Sequence, residues 1–436
     1  MRRIAYAWWV LLASIVILSL NAGARLMIGV LIKPIIAEFG WSRGTVSAAV
    51  FVNMVVLALA VLVTGRLYDR YGPKWVILVS SVVSSSGLVL MATMDSRWEF
   101  FLYYGVISAV GLGGTMSTLF AAVVSRWFEK HRGTVISLAT TGNSLGQFAL
   151  VPLFAAVLLD DGWRATMVLV GLVFLAVNVV LALTVIRGDP EDLGKEPYGR
   201  SRPPGPGSAL AAGAGPGAAA VSLGVAAPDG PEPRSLGLRE AMRTASFWLF
   251  TVAMFVCGAG DFLLTTHLVP MATDHGVSTP TAVAMLAWFG LLSMGGILLA
   301  GPASDLVGNK TPIALAFALR VAVFLLVVWW QTATTFWVLS LVFGFTFLIT
   351  APLTTTLMGR LYGFGSIGVL SGFVICVHHV GGGLWAYLGG VVFDLTGGYT
   401  LALAVSAGAS VLALACALLI REVRHVAPSP SRPGRP

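Results

Sequence analysis

Three charged residues of this 436-residue chain lie inside apolar runs, where charge is costly. Asp261 lies within FVCGAGDFLLTTHLVP, Arg320 lies midway along TPIALAFALRVAVFLLVVWW, and Arg25 lies in the first apolar run. A guanidinium group offers planar donors that fit a carboxylate, whereas a buried acid needs a neighbouring cation or a bound proton. The three residues therefore predict an anion-binding site coupled to proton binding, in which Asp261 is the proton-coupling residue.

Polar residues in other apolar runs could complete this site. His267 could donate to an anion or relay a proton, or it could be a helix-end residue bonded to a backbone carbonyl. His378 and His379 point about 100° apart on a helix, so one of them at most faces a shared cavity, and we assign that place to His378. The predicted substrate-binding residues are Arg25, Asn143, His267, Arg320 and His378.

Each of these assignments has an alternative. Arg25 could instead extend its charged end to the membrane surface, and Arg320 could form only a structural ion pair with Asp261. Asn143 could hydrogen-bond between helices without lining a cavity.

The composition indicates which elements must position these residues. The chain is 57% hydrophobic and 11% charged, whereas soluble domains are about 25% charged. A helix needs about 20 apolar residues to cross a bilayer. Such runs form two sets of six, which predicts an all-α membrane protein with twelve transmembrane helices: 6–31, 44–67, 75–94, 100–125, 134–158, 164–186, 247–270, 281–304, 311–331, 335–357, 366–393 and 400–420.

The two sets define the predicted domains. A first six-helix bundle covers 1–186, a cytoplasmic linker covers 187–246, a second bundle covers 247–421, and a tail covers 422–436. The centre of the linker and the tail are rich in Gly, Pro and small residues, so we expect both to be disordered.

Basic residues predict the orientation. With the N-terminus inside, 21 of the 27 Lys and Arg residues lie on the inner side, and the outer segments hold only Lys33, Arg43, Arg97 and Arg164. Both termini are therefore expected to be cytoplasmic, with the protein in the inner membrane. The formal charge of +8 follows from these loops and does not indicate a nucleic-acid partner.

A short loop occurs twice. GRLYDRYGPK at 65–74 shares its Gly, Asp, Gly and Lys positions with GPASDLVGNK at 301–310, and each follows the second span of its half. This loop resembles the signature of the major facilitator superfamily. The resemblance implies two six-helix bundles around a central cavity, and a conformational latch formed by Gly65, Asp69, Arg70, Gly72 and Asp305.

Longer stretches resemble the bacterial branch of the monocarboxylate transporter and oxalate/formate antiporter group. They are GVLIKPIIAEFGWSRGTVSAA at 29–49, SRWFEKHRGTVISLATTGNSLG at 125–146, DGWRAT at 161–166, TTHLVPMATDHG at 265–276 and HHVGGGLWAYLGGVVFDLTGGY at 378–399. Lactate-type members carry an Asp and Arg pair in the eighth helix, but the span 281–304 has no charged residue.

Together with the charged residues of the spans, this resemblance implies a secondary active transporter of small organic anions that moves a monocarboxylate with a proton by alternating access. The alternative is a carboxylate exchanger of the oxalate/formate type. A proton-coupled drug or metabolite exporter is less favoured because the spans of the first half contain no acid. The intramembrane His and acid residues lack metal-ligand spacing, so we expect neither an enzyme nor a metal site. The expected partners are the carboxylate substrate, the proton and the lipid bilayer. We expect the protein to function as a monomer and to need no cofactor.

Overall fold

The computed structural model describes residues 6–130, 132–199, 235–363 and 366–421. This part of the chain is almost entirely helical. The helices are α1 (Tyr6–Leu26), α2 (Ile28–Phe39), α3 (Arg43–Met91), α4 (Arg97–Phe100), α5 (Ala109–Gly113), α6 (Ser117–Trp127), α7 (Arg132–Leu145), α8 (Val151–Thr184), α9 (Leu238–Ala241), α10 (Ala245–Asp274), α11 (Thr279–Val307), α12 (Lys310–Trp329), α13 (Ala333–Phe347), α14 (Thr350–Tyr362), α15 (Ile367–Thr396) and α16 (Thr400–Leu419). Two π-helical stretches, Phe101–Ser108 and Gly146–Leu150, connect α4 to α5 and α7 to α8.

Ten helical stretches of the described chain are long and apolar enough to cross a membrane. Two of them are far longer than one crossing requires, with 49 residues at Arg43–Met91 and 53 residues at Arg132–Thr184. A straight helix of that length would reach roughly 75 Å, whereas the hydrocarbon core is about 30 Å thick. Each is broken at a glycine, Gly72 with φ 77° and Gly162 with φ 83°, a conformation that favours glycine. If each of these two helices is counted as two spans, the described residues hold twelve stretches, which is the number that the sequence predicts.

Successive spans alternate in direction, so the loops gather at two ends of the bundle. We call one the terminus end, because both ends of the described chain, Tyr6 and Arg421, lie there, and the other the distal end. At the terminus end the Tyr6 hydroxyl donates to the Val185 carbonyl. At the distal end the Gln331 amide donates to Thr400.

The two halves of the chain pack against each other through matching helices. The first part of α3 packs on α15, α2 packs on α10, and α7 packs on α11. Between α7 and α11 the Ser144 and Ser293 hydroxyls are 2.7 Å apart. A Cβ atom at Gly29 would lie 2.5 Å from the Thr265 carbonyl oxygen, so α2 and α10 approach this closely only because residue 29 has no side chain.

The clusters of buried apolar side chains show at which end the two halves are packed together. The largest cluster lies toward the distal end and contains residues of both halves, such as Leu31 and Leu268. Two smaller clusters lie at the terminus end, one with Val10 and Trp127 of the first half and one with Phe250 and others of the second half. Among the described residues no apolar cluster joins the halves at the terminus end. The molecule is therefore closed at its distal end.

The edges of the predicted linker contact the bundles. Tyr198 exchanges backbone hydrogen bonds with Trp127 and Glu129, and its ring packs on Phe128. On the other side the Leu236 amide donates to the Tyr362 carbonyl. Residues 200–234 and the predicted tail at 422–436 lie outside the described residues.

Candidate functional site

Asp261 on α10 and Arg320 on α12 form an ion pair in the interior of the second half. Arg320 Nη2 lies 2.9 Å from Asp261 Oδ1, and the two side chains are 1% and 2% exposed. A buried charge of either sign is stable only with a partner, so each residue explains the presence of the other. The sequence alone did not establish that these two residues meet. The packing of α10 and α12 brings them together.

Arg320 has further contacts that occupy its guanidinium group. Nε donates to Thr346 Oγ1 at 3.2 Å, Nη2 donates to the Thr346 carbonyl at 3.0 Å, and Nη1 donates to the Cys257 carbonyl at 3.3 Å. Arg320 Cζ also lies 4.3 Å from the centre of the Phe343 ring. An incoming carboxylate would have to displace several of these contacts to bind Arg320.

The Asp261 carboxylate is less completely satisfied than its partner. Although Oδ1 lies 2.9 Å from Arg320 Nη2, it accepts no aligned hydrogen bond from any described residue. The Cys257 thiol donates to Oδ2 at 3.5 Å, and His378 Nε2 lies 3.7 Å from the same oxygen. The site therefore holds a buried acid with acceptor capacity to spare.

Two glycines allow His378 to reach Asp261. A Cβ atom at Gly258 on α10 would collide with the His378 carbonyl oxygen, and one at Gly381 on α15 would lie 2.6 Å from the Phe255 carbonyl oxygen. The helix backbones therefore touch at this point. Gly258 precedes Asp261 by three residues and so lies on the same face of α10.

Cys257, Asp261 and His378 could in geometric terms hold a metal ion, because one ligand atom from each lies within 4.8 Å of the others. The Arg320 guanidinium already contacts two of these three ligands, with Nη1 3.3 Å from Cys257 Sγ and Nη2 2.9 Å from Asp261 Oδ1. A divalent cation would be repelled by this positive group. The arrangement suits an internal ion pair better than a metal site.

Arg25, at the last turn of α1, is an intramembrane cation without a counter-ion in the described structure. Its side chain is partly exposed, its Nε atom is buried without a partner, and no hydrogen bond or ion pair to another described residue occupies the guanidinium group. Arg25 Cζ lies 5.8 Å from the ring centre of Phe262, whose ring also packs on His378 and His379 at 5.9 and 5.8 Å. Arg25 of the first half and His378 of the second half thus meet around Phe262.

The other two predicted ligands lie apart from this group. Asn143 donates to the Thr140 carbonyl on its own helix at 3.2 Å. His267 is fully buried near the distal end, with Nδ1 2.9 Å from Tyr399 Oη and Nε2 2.8 Å from the Ala386 carbonyl oxygen. No contact within the described chain connects either residue to Arg25 or Asp261.

His267 belongs to a network that closes the distal end. Arg43 at the start of α3 forms an ion pair with Asp274 at the end of α10 and donates to Tyr399 Oη at 2.8 Å. Asp394 accepts from the backbone amides of Arg43 and Gly44, so an acid of the second half caps a helix of the first half.

The hydrogen positions in this network follow from its acceptors. Because a carbonyl oxygen can only accept, His267 Nε2 donates to Ala386. Burial raises the pKa of the Tyr399 phenol, which therefore stays protonated and can donate to His267 Nδ1. Sequence reasoning missed Arg43, Asp274, Tyr399 and Asp394 as a set, because charged and phenolic residues at helix ends are typical of any membrane surface.

A family model described as the Major Facilitator Superfamily matches residues 14–386 and 250–436. The chain belongs to this superfamily. It is 25% identical over 414 residues to the uncharacterized MFS-type transporter YcxA of Bacillus subtilis, a match that covers 91% of each chain. It is 27% identical over 410 residues to monocarboxylate transporter 13 of Bos taurus, which covers 94% of this chain and 87% of the relative.

Solved structures of the superfamily show the same fold. A bacterial homologue of the human lysosomal transporter Spinster matches with a TM-score of 0.71 at 16% identity, covering 96% of this chain and 97% of that chain. The nucleoside transporter NupG matches with a TM-score of 0.70 at 14% identity, covering 95% of this chain and 99% of that one. The predicted all-α major facilitator fold is confirmed, and the chain is a multi-pass membrane protein of a transporter family.

The predicted latch of this superfamily protein lies at the terminus end. Gly72 supplies the break in α3, and a Cβ atom at Gly65 would meet nothing within 4 Å. Asp69 and Arg70 are exposed, and neither forms an ion pair with a described residue. Asp305 lies in α11, but its side chain is outside the described structure. The latch role stays a prediction.

Proposed function

We propose that this member of the superfamily is a secondary active transporter of small organic anions, and that it moves a monocarboxylate together with a proton. The observation that carries the proposal is Arg25. A partly exposed arginine inside a span, at the junction of the halves and without a counter-ion among the described residues, is suited to an anionic ligand. Arg320, by contrast, is neutralised by Asp261.

The surroundings of Arg25 favour a small ligand with one negative charge. The guanidinium can hold one carboxylate in a bidentate manner, and the Phe262 ring beside it can contact an apolar substituent. The monocarboxylate transporters among the relatives support this substrate class.

Proton coupling follows from the cost of moving charge. An anion that enters alone moves against an inside-negative potential, at about 2.3 kcal/mol per charge per 100 mV. An anion at Arg25 also places negative charge near Asp261 and His378, which favours protonation of this pair. The anion and the proton together then add no net charge to the carrier when it crosses.

The closed distal end and the exposed latch residues fit one stage of alternating access. With the predicted orientation, the terminus end faces the cytoplasm. The protein would then act as a monomer in the inner membrane. The contacts of Arg43 with Asp274 and Tyr399 would then close the site against the outside.

A flux assay with purified protein in proteoliposomes tests the proposal. Radiolabelled formate, acetate, lactate, pyruvate and oxalate are offered with and without an inward proton gradient. We expect accumulation of at least one monocarboxylate that depends on the gradient. Exchange of oxalate for formate without a response to the gradient would favour the exchanger instead. Uptake of cationic drugs or sugars, without any carboxylate, would overturn the proposed substrate class.

A further inference from the structure

We infer that His378 is the residue through which a proton reaches Asp261, and that it acts as a proton relay and not as a substrate ligand. The inference rests on the proposed function and assigns a different role to the same site. It starts from the burial of Asp261, whose side chain is 2% exposed and which therefore has no direct route to water.

Among the described residues, only His378 is both partly exposed and in contact with the Asp261 carboxylate. Its side chain is 16% exposed, and its Nε2 lies 3.7 Å from Asp261 Oδ2. The other described groups that contact the carboxylate are Cys257, whose residue is buried, and Arg320, which cannot release a proton at ordinary pH.

The hydrogen bonds of His378 direct one particular nitrogen at the acid. Nδ1 lies 3.2 Å from the Met254 carbonyl oxygen, which can only accept, so Nδ1 carries a hydrogen. In the neutral ring Nε2 is then a bare acceptor that faces a carboxylate oxygen. Two such atoms attract each other only when a proton lies on one of them.

The relay is a transfer of one proton without any change of electrons. Water that reaches the exposed part of the His378 ring protonates Nε2 and gives an imidazolium. When the ring closes the gap to a hydrogen-bond distance of about 2.8 Å, Nε2–H donates its proton to Oδ2. The imidazole returns to the neutral form with Nδ1–H still on Met254, and Asp261 becomes a neutral acid.

The charges around His378 fit this step. Asp261 on α10 attracts a proton to the ring, while the burial of the ring and the positive charges of Arg320 on α12 and Arg25 on α1 oppose a lasting positive charge. An anion bound at Arg25 would cancel one of these opposing charges. Substrate binding would thereby promote the proton transfer.

His379 offers a matched control. It is the next residue on α15 and is also in contact with Phe262, but its Nδ1 bonds to the Ile375 carbonyl of its own helix at 2.9 Å. It makes no contact with Asp261 in the described structure. The comparison is therefore between His378→Gln and His379→Gln.

The experiment measures two activities of each variant in proteoliposomes, with the carboxylate that the wild type takes up fastest from the panel above. One is accumulation driven by a proton gradient, recorded together with a pH dye inside the vesicles, and the other is exchange at equal pH. We expect His378→Gln to lose accumulation and proton entry by at least about tenfold while exchange changes by less than about threefold. His379→Gln should change both by less than about threefold.

Several results would overturn the inference. Proton-driven accumulation by His378→Gln at the wild-type level would exclude the relay, and equal loss of both activities by a folded variant would make His378 a substrate ligand. If His378→Gln does not fold, carbethoxylation of the wild-type imidazole, localised by mass spectrometry, must abolish accumulation and spare exchange, or the relay is wrong. A wild-type protein that transports no carboxylate would contradict the proposed function itself, and this result is seen before any variant is made.

Discussion

Arg43 of the first half binds Asp274 of the second half through both guanidinium nitrogens, with Nη1 2.6 Å from Oδ2 and Nη2 2.9 Å from Oδ1. Lys33 lies 2.7 Å from the same carboxylate, so one acid of α10 holds two cations of the other half. Because opening of the distal end must separate these residues, they set part of the free energy of opening.

Replacement of Asp274 should shift the molecule toward an open distal end. Charge-assisted hydrogen bonds contribute about 1.5–3 kcal/mol each, so Asp274→Asn should raise the open population by about tenfold or more. The readout is the labelling rate of a Ser47→Cys thiol by a membrane-impermeant maleimide added from the distal side. Asp95→Asn is the control, since Asp95 is an exposed acid at the same end whose carboxylate contacts Arg164 of its own half. Equal labelling rates in the two variants would show that Asp274 does not hold the end closed.

A methyl group added between α3 and α15 should also open the distal end, because the two helices have no room for it there. A Cβ atom at Gly390 would lie 2.7 Å from both the Arg43 carbonyl oxygen and Ser47 Oγ, so Gly390→Ala should force α15 away from α3. We expect faster labelling of a distal-end thiol and slower proton-driven uptake. Gly372→Ala, on the same helix with nothing within 4 Å of the added atom, should change neither. Wild-type uptake by Gly390→Ala would mean that the helices separate there without cost.

Loss of the buried acid should separate the two transport modes. Asp261→Asn removes the proton site and leaves Arg320 without its counter-ion, so accumulation driven by a proton gradient should be abolished while exchange partly survives. Removal of one partner from a buried pair costs about 3–5 kcal/mol, so the variant should also be less stable to heat. The double variant Asp261→Asn/Arg320→Gln should recover part of that stability. Normal proton-driven accumulation by Asp261→Asn would exclude Asp261 as the coupling residue.

The two intramembrane arginines should respond differently to substitution. Arg25→Gln removes the free cation and should raise the KM for the carboxylate by about tenfold or more, while Arg25→Lys retains the charge but loses the planar fork and should be milder. Arg320→Lys should mainly lower thermal stability, because the guanidinium contacts with Thr346 and Cys257 are lost. The measurements are concentration-dependent exchange and thermal unfolding of the purified variants. A strong KM effect from Arg320→Lys in a stable protein, with none from Arg25→Gln, would move the anion site to Arg320.

The centre of the linker should be dispensable. The described contacts of this segment stop near Tyr198 and resume near Leu236, so a deletion of residues 205–230 removes neither anchor. Transport and thermal stability should stay within about twofold of the wild type, since the Gly-, Pro- and Ala-rich sequence of the segment has few of the large apolar residues that a packed core needs. Tyr198→Ala serves as a comparison that does remove an anchor, the ring contacts with Trp8 and Phe128. A deletion variant that no longer folds would show that residues 205–230 pack on the bundles.

The fold could be predicted from the sequence because its main determinant is local. A span is recognised from its own hydropathy, so the two sets of apolar runs predicted twelve spans. The resemblance of the repeated loop to the superfamily signature then implied the major facilitator fold. Even the two long helices follow this rule, since Gly72 and Gly162 lie where the sequence already places a turn between spans.

The choice of partners was decided only by the tertiary structure. The sequence showed that Asp261, Arg320 and Arg25 are buried charges that need compensation, but whether Arg320 or Arg25 is the neutralised one depends on how α10, α12 and α1 pack. The same reason hid the closure between Arg43 and Asp274, which are 231 residues apart in the chain. The free-energy cost of burying a charged side chain can be predicted from the sequence around that residue. Whether an opposite charge offsets this cost depends on the distance to a side chain of another helix, and only the folded protein sets that distance.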